Sequence, residues 1–143
     1  MTIAKIITTR SADDVISCDV TTKVSQAVQL LAGKRIGALP VLRDGKIAGI
    51  VSERDVIYKL AEMGGTCLDL PVEAIMTSPA VTVEPSTKID DALSLMTKRR
   101  FRHFPVVENG ALVAFISIGD LVKNKIDEIE HEAEALRNYI QTV

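Results

Sequence analysis

The chain has 143 residues, 47% of them apolar, with 17 basic and 19 acidic side chains for a net charge of −2, enough for one compact domain or two small packed modules. With 3% aromatics and no extended Lys/Arg-rich block, it lacks the electrostatic footprint of a nucleic-acid binder. The N-terminal MTIAKIITTRSADD has no signal-type apolar core and no later run approaches the ~18 apolar residues of a membrane span, so the expectation is a cytoplasmic protein without a membrane partner.

In chain order, residues 15–20 read as a short strand. A Thr-rich start then precedes a helix with apolar positions at Val24, Ala27, Val28 and Leu31. A strand through Leu39-Pro40-Val41-Leu42 leads to Asp44-Gly45, a tight hairpin signal, and returns over 47–51. Next comes GIVSERD, Gly49 to Asp55, where a strand ends and a helix begins. Ser-x-x-Asp before Val56, Ile57 and Leu60 is a capping box: the Ser52 hydroxyl accepts from the first turn and the Asp55 carboxylate reaches back. The same residues could hold a ligand, but on this segment alone the cap is the favoured reading.

The series then starts again. Residues 80–83 read as a strand, followed by a helix with Ile89, Ala92, Leu93 and Met96, a strand through Phe104-Pro105-Val106-Val107, a turn at Asn109-Gly110, a return over 112–116, and AFISIGD as the second helix start. Thr22-Lys23 recurs as Thr87-Lys88, Arg35 as Arg100, Pro40-Val41 as Pro105-Val106, Gly45 as Gly110, Ser52 as Ser117 and Asp55 as Asp120, always 65 positions on (from 22 to 87 and from 55 to 120 alike). Conservative replacements keep the same spacing, as in Ile36 against Phe101 and Val51 against Ile116.

The predicted fold class is therefore α+β: two tandem β-α-β-β-α units related by a pseudo-twofold axis, sheets packed face to face, plus a C-terminal amphipathic helix. The boundaries expected are 6–65 and 72–126 for the units and 127–143 for the tail helix. Each unit is too small to cover both faces of its own sheet, so the two pack together and leave two clefts, one per Ser-x-x-Asp.

Past Asp120, the apolar residues Val122, Ile126, Ile129, Ala133, Leu136, Ile140 and Val143 step alternately by four and three along a helix otherwise rich in acids. So narrow a stripe packs on its own unit over its first two turns or on another helix, and beyond Glu130 it points to a second subunit. Tyr58 and Tyr139 fall on helices and read as amphipathic core or interface residues. Cys18 and Cys67 stand alone, outside any C-x-x-C, and read as small buried hydrophobes rather than as a disulfide or zinc site.

No catalytic constellation is legible. There is no Walker-type loop, no G-x-G-x-x-G and no metal-ligand spacing, and the only histidines are His103 and His131. Ser117 with His103 would lack an acid to orient the imidazole.

The tandem IGALPVL…GIVSERD and RHFPVV…FISIGD, with AIMTSPAVTV opening the second copy and LRNYI in the tail, closely resemble a CBS-domain pair, or Bateman module, over residues 6–126. The pattern is similar to that of small stand-alone bacterial CBS-pair proteins. The resemblance implies a non-catalytic regulatory module that binds adenosyl ligands (AMP, ADP, ATP, NAD(H) or S-adenosylmethionine), with the motif Asp on the ribose. No required cofactor or metal is implied. It further implies a flat homodimer and an effector protein that reads occupancy, as in energy or metabolic signalling. A ligand-independent interaction scaffold is the competing reading.

Carried onto this sequence, the resemblance favours the second cleft for a phosphorylated ligand: Arg102, His103, Phe104, Pro105, Ser117, Gly119 and Asp120, completed by the crossing segment from Thr9 through Ser11 to Val15. Arg102 brings a planar fork of donors and His103 a titratable one, although both also fit a solvated strand start in the basic run 98–102. The first cleft comprises Gly37, Ala38, Pro40, Ser52, Arg54, Asp55 and the crossing segment Thr77, Pro79 and Ala80. Arg54 either supplies its cation or points to solvent. Gly119, where the first copy has Arg54, suits a closer backbone approach; Gly49 against Ala114 is a minor departure.

Overall fold

The computed structural model describes residues 1–142; Val143, the last position of the apolar stripe, lies outside the described residues. The first unit contains β1 (Cys18–Asp19), α2 (Val24–Lys34), β2 (Ala38–Arg43), β3 (Lys46–Ser52) and α3 (Glu53–Met63), preceded by a short helix α1 (Ile3–Ile7). The second contains α4 (Ile89–Arg99), β4 (His103–Glu108), β5 (Ala111–Ser117) and α5 (Ile118–Gln141). The fold is the mixed α+β pair expected. β1 runs parallel to β2 and β3 antiparallel to it, while β4 and β5 form the second sheet. Equivalent strands β3 and β5 touch, which is the contact a pseudo-twofold axis produces.

The 65-residue offset survives in backbone detail. A register shift falls between Val41 and Leu42 and again between Val106 and Val107. Asp44 and Gly45 have φ of 52° and 79°, Asn109 and Gly110 52° and 80°. Paired positive φ values let a two-residue turn follow the strand twist, and Asn, Asp and Gly reach that region at least cost. Arg35 and Arg100 end α2 and α4 in the left-handed conformation, with φ of 54° and 58°.

The first strand of each unit is shorter than its sequence pattern implies. In the first copy only Cys18 and Asp19 pair; in the second, a single parallel bridge joins Val83 to Val106. The apolar residues just ahead, Val15 and Ile16 in one copy and Ala80 and Val81 in the other, line cavities instead of extending a sheet.

Two separate cores form, and each is closed by a segment that leads into the other unit. Ile3 and Ile6 of α1 lie among Ile89, Phe104, Ile116 and Leu121 of the second unit. Val72 and Ile75, which lead into the second unit, lie among Val24, Leu39, Val41 and Val51 of the first. Backbone bonds follow the same exchange: the Val24 N–H donates to the Leu70 carbonyl (2.8 Å) and the Ile89 N–H to the Met1 carbonyl (3.1 Å), so each incoming segment satisfies a first-turn donor that no side chain caps. Thr22 and Thr87, read as helix-start signals, instead close the turn before the helix, their hydroxyls accepting from the Asp19 and Glu84 N–H groups.

Thr77 also pairs with β3, exchanging 3.0 and 2.8 Å backbone bonds with Ile50. This crossing is what Gly49 permits. A Cβ there would sit 2.7 Å from the Thr77 carbonyl oxygen and 2.8 Å from Met76 Sδ.

α5 is one unbroken helix of 24 residues, with no boundary near position 126. Leu121 is fully buried, whereas Val122, Ile126, Ile129, Leu136 and Ile140 are exposed. Lys125 ties its first turns to Asp90 on α4 at 2.8 Å. Tyr58 and Tyr139 are exposed too, at 68% and 69%, which corrects the core alternative of their core-or-interface reading; Tyr58 borders a cavity between the units. Cys18 and Cys67 are buried free thiols. Among the described residues no helix is long and apolar enough to cross a membrane.

Gly49→Ala is expected to lower stability by about 1–3 kcal/mol by forcing the crossing segment away from β3. Gly33→Ala, in the exposed last turn of α2 with open space around it, is expected to raise stability by about 0.5–1 kcal/mol. Paired denaturant melts check both.

Candidate functional site

Both Ser-x-x-Asp sequences form full capping boxes. Ser52 Oγ accepts from the Asp55 N–H (3.3 Å) while Asp55 Oδ2 accepts from the Ser52 N–H (2.8 Å). In the second copy the matching distances are 3.2 and 2.9 Å. One carboxylate oxygen of each aspartate is thereby committed to its helix start, and the other faces the crossing segment. Asp55 Oδ1 accepts from the Thr77 hydroxyl at 3.2 Å. Asp120 Oδ1 instead meets the Arg10 guanidinium at 2.7 Å, with a second contact to Oδ2 at 3.3 Å. The copies match within each unit and differ in what crosses over from outside.

Each carboxylate opens on a cavity between the units. The larger, about 460 Å³, lies at Asp55 and is lined by Gly37, Ala38, Ser52, Arg54, Asp55, Thr77, Pro79 and Ala80 of the predicted first-cleft set. That volume falls in the range of about 300–1,000 Å³ usual for small-molecule sites. Pro40 is absent from it, being fully buried within β2. The smaller, about 270 Å³, lies at Asp120 and brings together Ser11, Val15, His103, Ser117 and Asp120.

The remaining residues of the predicted second-cleft set go elsewhere. Phe104 is buried in the second core with its ring edge-on to Phe101, and Pro105 is buried beside it. Thr9 and Gly119 are exposed and line neither cavity. Arg102 lines the larger cavity, not the smaller, together with Arg99, Arg100 and Phe101 ahead of it. Arg54 lines the larger cavity and is at the same time exposed to solvent.

His103 borders both cavities, its ring stacked on Phe115 at 5.3 Å and 10°. Burial holds its pKa below the ordinary imidazole value, against the pull of the Asp120 carboxylate. Burial therefore favours its neutral form. At Asp120, burial alone would raise the carboxyl, but hydrogen bonds from Arg10 and Ser117 outweigh it and hold the group below its ordinary 3.8.

Sequence reasoning missed Arg10, Arg99 and Arg100. Arg99 and Arg100 were visible in the basic run 98–102, whose solvated reading concealed that it ends over a cavity. Arg10 has no counterpart in the repeat, since position 75 is Ile, and no pattern in the chain marks it.

Two units of one design, exchanging their leading segments and each presenting a capped carboxylate to a cavity between them, define a tandem-repeat module with paired clefts, the larger of them in the ligand-sized range. The family model of the CBS domain matches residues 3–62 and again 72–127, and the chain belongs to the CBS-domain family. It is 36% identical over 129 residues to the CBS domain-containing protein CBSX3, mitochondrial, of Arabidopsis thaliana, covering 87% of this chain and 63% of that protein's length. The CBS-domain containing protein ATU1752 from Agrobacterium tumefaciens superposes with a TM-score of 0.81 at 33% identity, over 87% of this chain and 99% of that one. CBSX2 in complex with AMP superposes with a TM-score of 0.75 at 26% identity, over 88% and 96%.

The depressed Asp120 carboxyl adds stability above its unfolded pKa, and that contribution is lost as pH falls through its lower folded value. Arg10→Gln removes the bond that depresses it, so the acid unfolding midpoint is expected to move to higher pH. At neutral pH the loss should be about 0.5–1 kcal/mol, since the pair is partly exposed. A circular-dichroism pH titration of both proteins reads the difference, and coincident midpoints would show that the pair contributes nothing.

Proposed function

We propose that this chain is a non-catalytic regulatory module that binds adenosyl ligands in the clefts at Asp55 and Asp120 and signals occupancy to a partner protein. The observation that carries this reading is the repeated carboxylate. In each unit an aspartate fixed by its own helix start holds one oxygen toward a cavity, where it accepts from the vicinal hydroxyls of a ribose by charge-assisted hydrogen bonds. The AMP complex of CBSX2, a chain of the same fold, supports the ligand class. Capping and binding are compatible here. The box fixes the carboxylate's rotamer, so less freedom is lost when a ligand arrives.

In this reading the adenine lies against the apolar walls of the cleft, beside Ile50 and Ala38 in the first and Val15 and Ile36 in the second. Because both crossing segments also close a core, a ligand that grips carboxylate and crossing segment together tightens the two units against each other. Only such differential affinity for the tighter state converts occupancy into a signal.

The output surface proposed is α5. Ile126, Ile129, Leu136 and Ile140, 50–64% exposed, form an apolar stripe that the chain's own units do not cover. The stripe suits the matching helix of a second copy, so the module is read as a homodimer. This stripe also favours the alternative of a ligand-independent scaffold.

A thermal-shift series on nucleotide-stripped protein separates the two readings, using AMP, ADP, ATP, NADH and S-adenosylmethionine with GTP as control. A ligand at 100 times its Kd adds about 2.7 kcal/mol. The increment should vanish for one cleft in Asp55→Asn and for the other in Asp120→Asn, variants that keep a capping oxygen but lose the charge. No shift with any adenosyl compound sinks the sensor reading in favour of the scaffold. Sedimentation should give a dimer for the wild type and a monomer for Leu136→Glu.

A further inference from the structure

The two cavities differ in charge far more than the repeat requires. Around the larger stand four guanidinium groups, Arg54, Arg99, Arg100 and Arg102, against two carboxylates, Glu53 and Asp55. Around the smaller stands one, Arg10, already bonded to Asp120, with Asp14 as a further acid. Among the described residues none of the four arginines makes an ion pair or a side-chain hydrogen bond. All four are exposed to solvent, so their mutual repulsion is screened, but a polyanion in the concave site converts it into attraction.

The ordinary explanation for such a run is a helix end: Lys98 and Arg99 in the last turn of α4 complement its negative pole. That accounts for Arg99 alone. Arg102 lies beyond the helix, and Arg54 comes from the first turn of α3 in the other unit. Arg100 caps α4 in the left-handed region at φ 58°, as Arg35 caps α2, so its backbone follows the repeat, while only Arg100 of the two lines a cavity. Arginines from both units thus line one space, and a guanidinium presents a planar fork of donors that suits phosphate oxygens.

We propose that the first cleft is a polyphosphate site in which Arg99, Arg100 and Arg102, with Arg54 across the cavity, select nucleoside di- and triphosphates over monophosphates. This deepens the adenosyl reading and rests on it for the nucleoside alone. It reverses the preference for the Asp120 cleft inferred from sequence, because Arg102 turns to the larger cavity and Arg10 occupies the carboxylate of the smaller. The phosphates run from a ribose at Asp55 toward the end of α4, so each added phosphate meets a further guanidinium.

The test is isothermal titration calorimetry on the full chain, with a chelator present, using adenosine, AMP, ADP, ATP and inorganic tripolyphosphate. Affinity should rise about tenfold for each added phosphate, from AMP through ADP to ATP, in the wild type, as expected for one added charge-assisted contact per step. In Arg99→Gln/Arg102→Gln the ratio per step should fall to about threefold or less while adenosine binding is kept. Arg100→Gly relieves the backbone, so its melting temperature should hold or rise even as ATP binding weakens, which separates loss of binding from loss of fold. Arg137→Gln on α5 controls for net charge and should behave as the wild type. Equal affinity for AMP and ATP, or a ratio unchanged in the variants, overturns the polyphosphate assignment and leaves the adenosyl reading standing. Tripolyphosphate binding that the variants lose, with no binding of adenosine or AMP, overturns the adenosyl reading and keeps this one. Binding of neither overturns both.

Discussion

Neither unit completes its own core. Ile3 and Ile6 fill the second unit and Val72 and Ile75 the first, and the segments that carry them also supply the backbone carbonyls for the opening turns of α4 and α2. Removing either segment would expose apolar surface in one unit and an unpaired helix start at the same place. The exchange explains why two such small repeats form one body. It also explains why the clefts lie where they do, because the same segments run on past the motif carboxylates and deliver Thr77 to Asp55 and Arg10 to Asp120.

Because the crossing residues are not copies of each other, the repeat is symmetric in backbone and asymmetric in chemistry. The first carboxylate meets a neutral hydroxyl and the second a guanidinium. Asp55 thus carries a neutral partner on its cavity-facing side, whereas at Asp120 the Arg10 guanidinium already occupies that side. His103 belongs to both sides, its imidazole pKa lowered by burial and its ring stacked on Phe115. A change at either cavity therefore reaches a side chain that borders the other.

GIVSERD shows how far a motif can be read. The capping box was legible from Ser-x-x-Asp before an apolar run, since helix starts need side-chain acceptors and few residue types supply them. Its companion at Ser117 and Asp120 followed from the offset of 65. That an oxygen of each box also faces a cavity was not legible from either stretch, because the cavity is made by residues far away in the chain. Arg102 and His103 illustrate the same limit: adjacent in sequence, they part company in space, one to the larger cleft and the other between both. Phe104 and Pro105 were read into the site and belong to the core.

The sequence alone determined the duplicated unit, its hairpins at Asp44-Gly45 and Asn109-Gly110, the two helix caps and the apolar stripe of α5. These depend on local backbone preference and on periodicity, which neighbouring residues specify. Only the tertiary structure decided that α1 belongs to the core of the second unit, that Gly49 makes room for Thr77, that Arg10 binds Asp120, and that four arginines meet at one cavity. Those are contacts between segments far apart in the chain, and their partners are selected by how two cores close around each other, for which no local pattern exists.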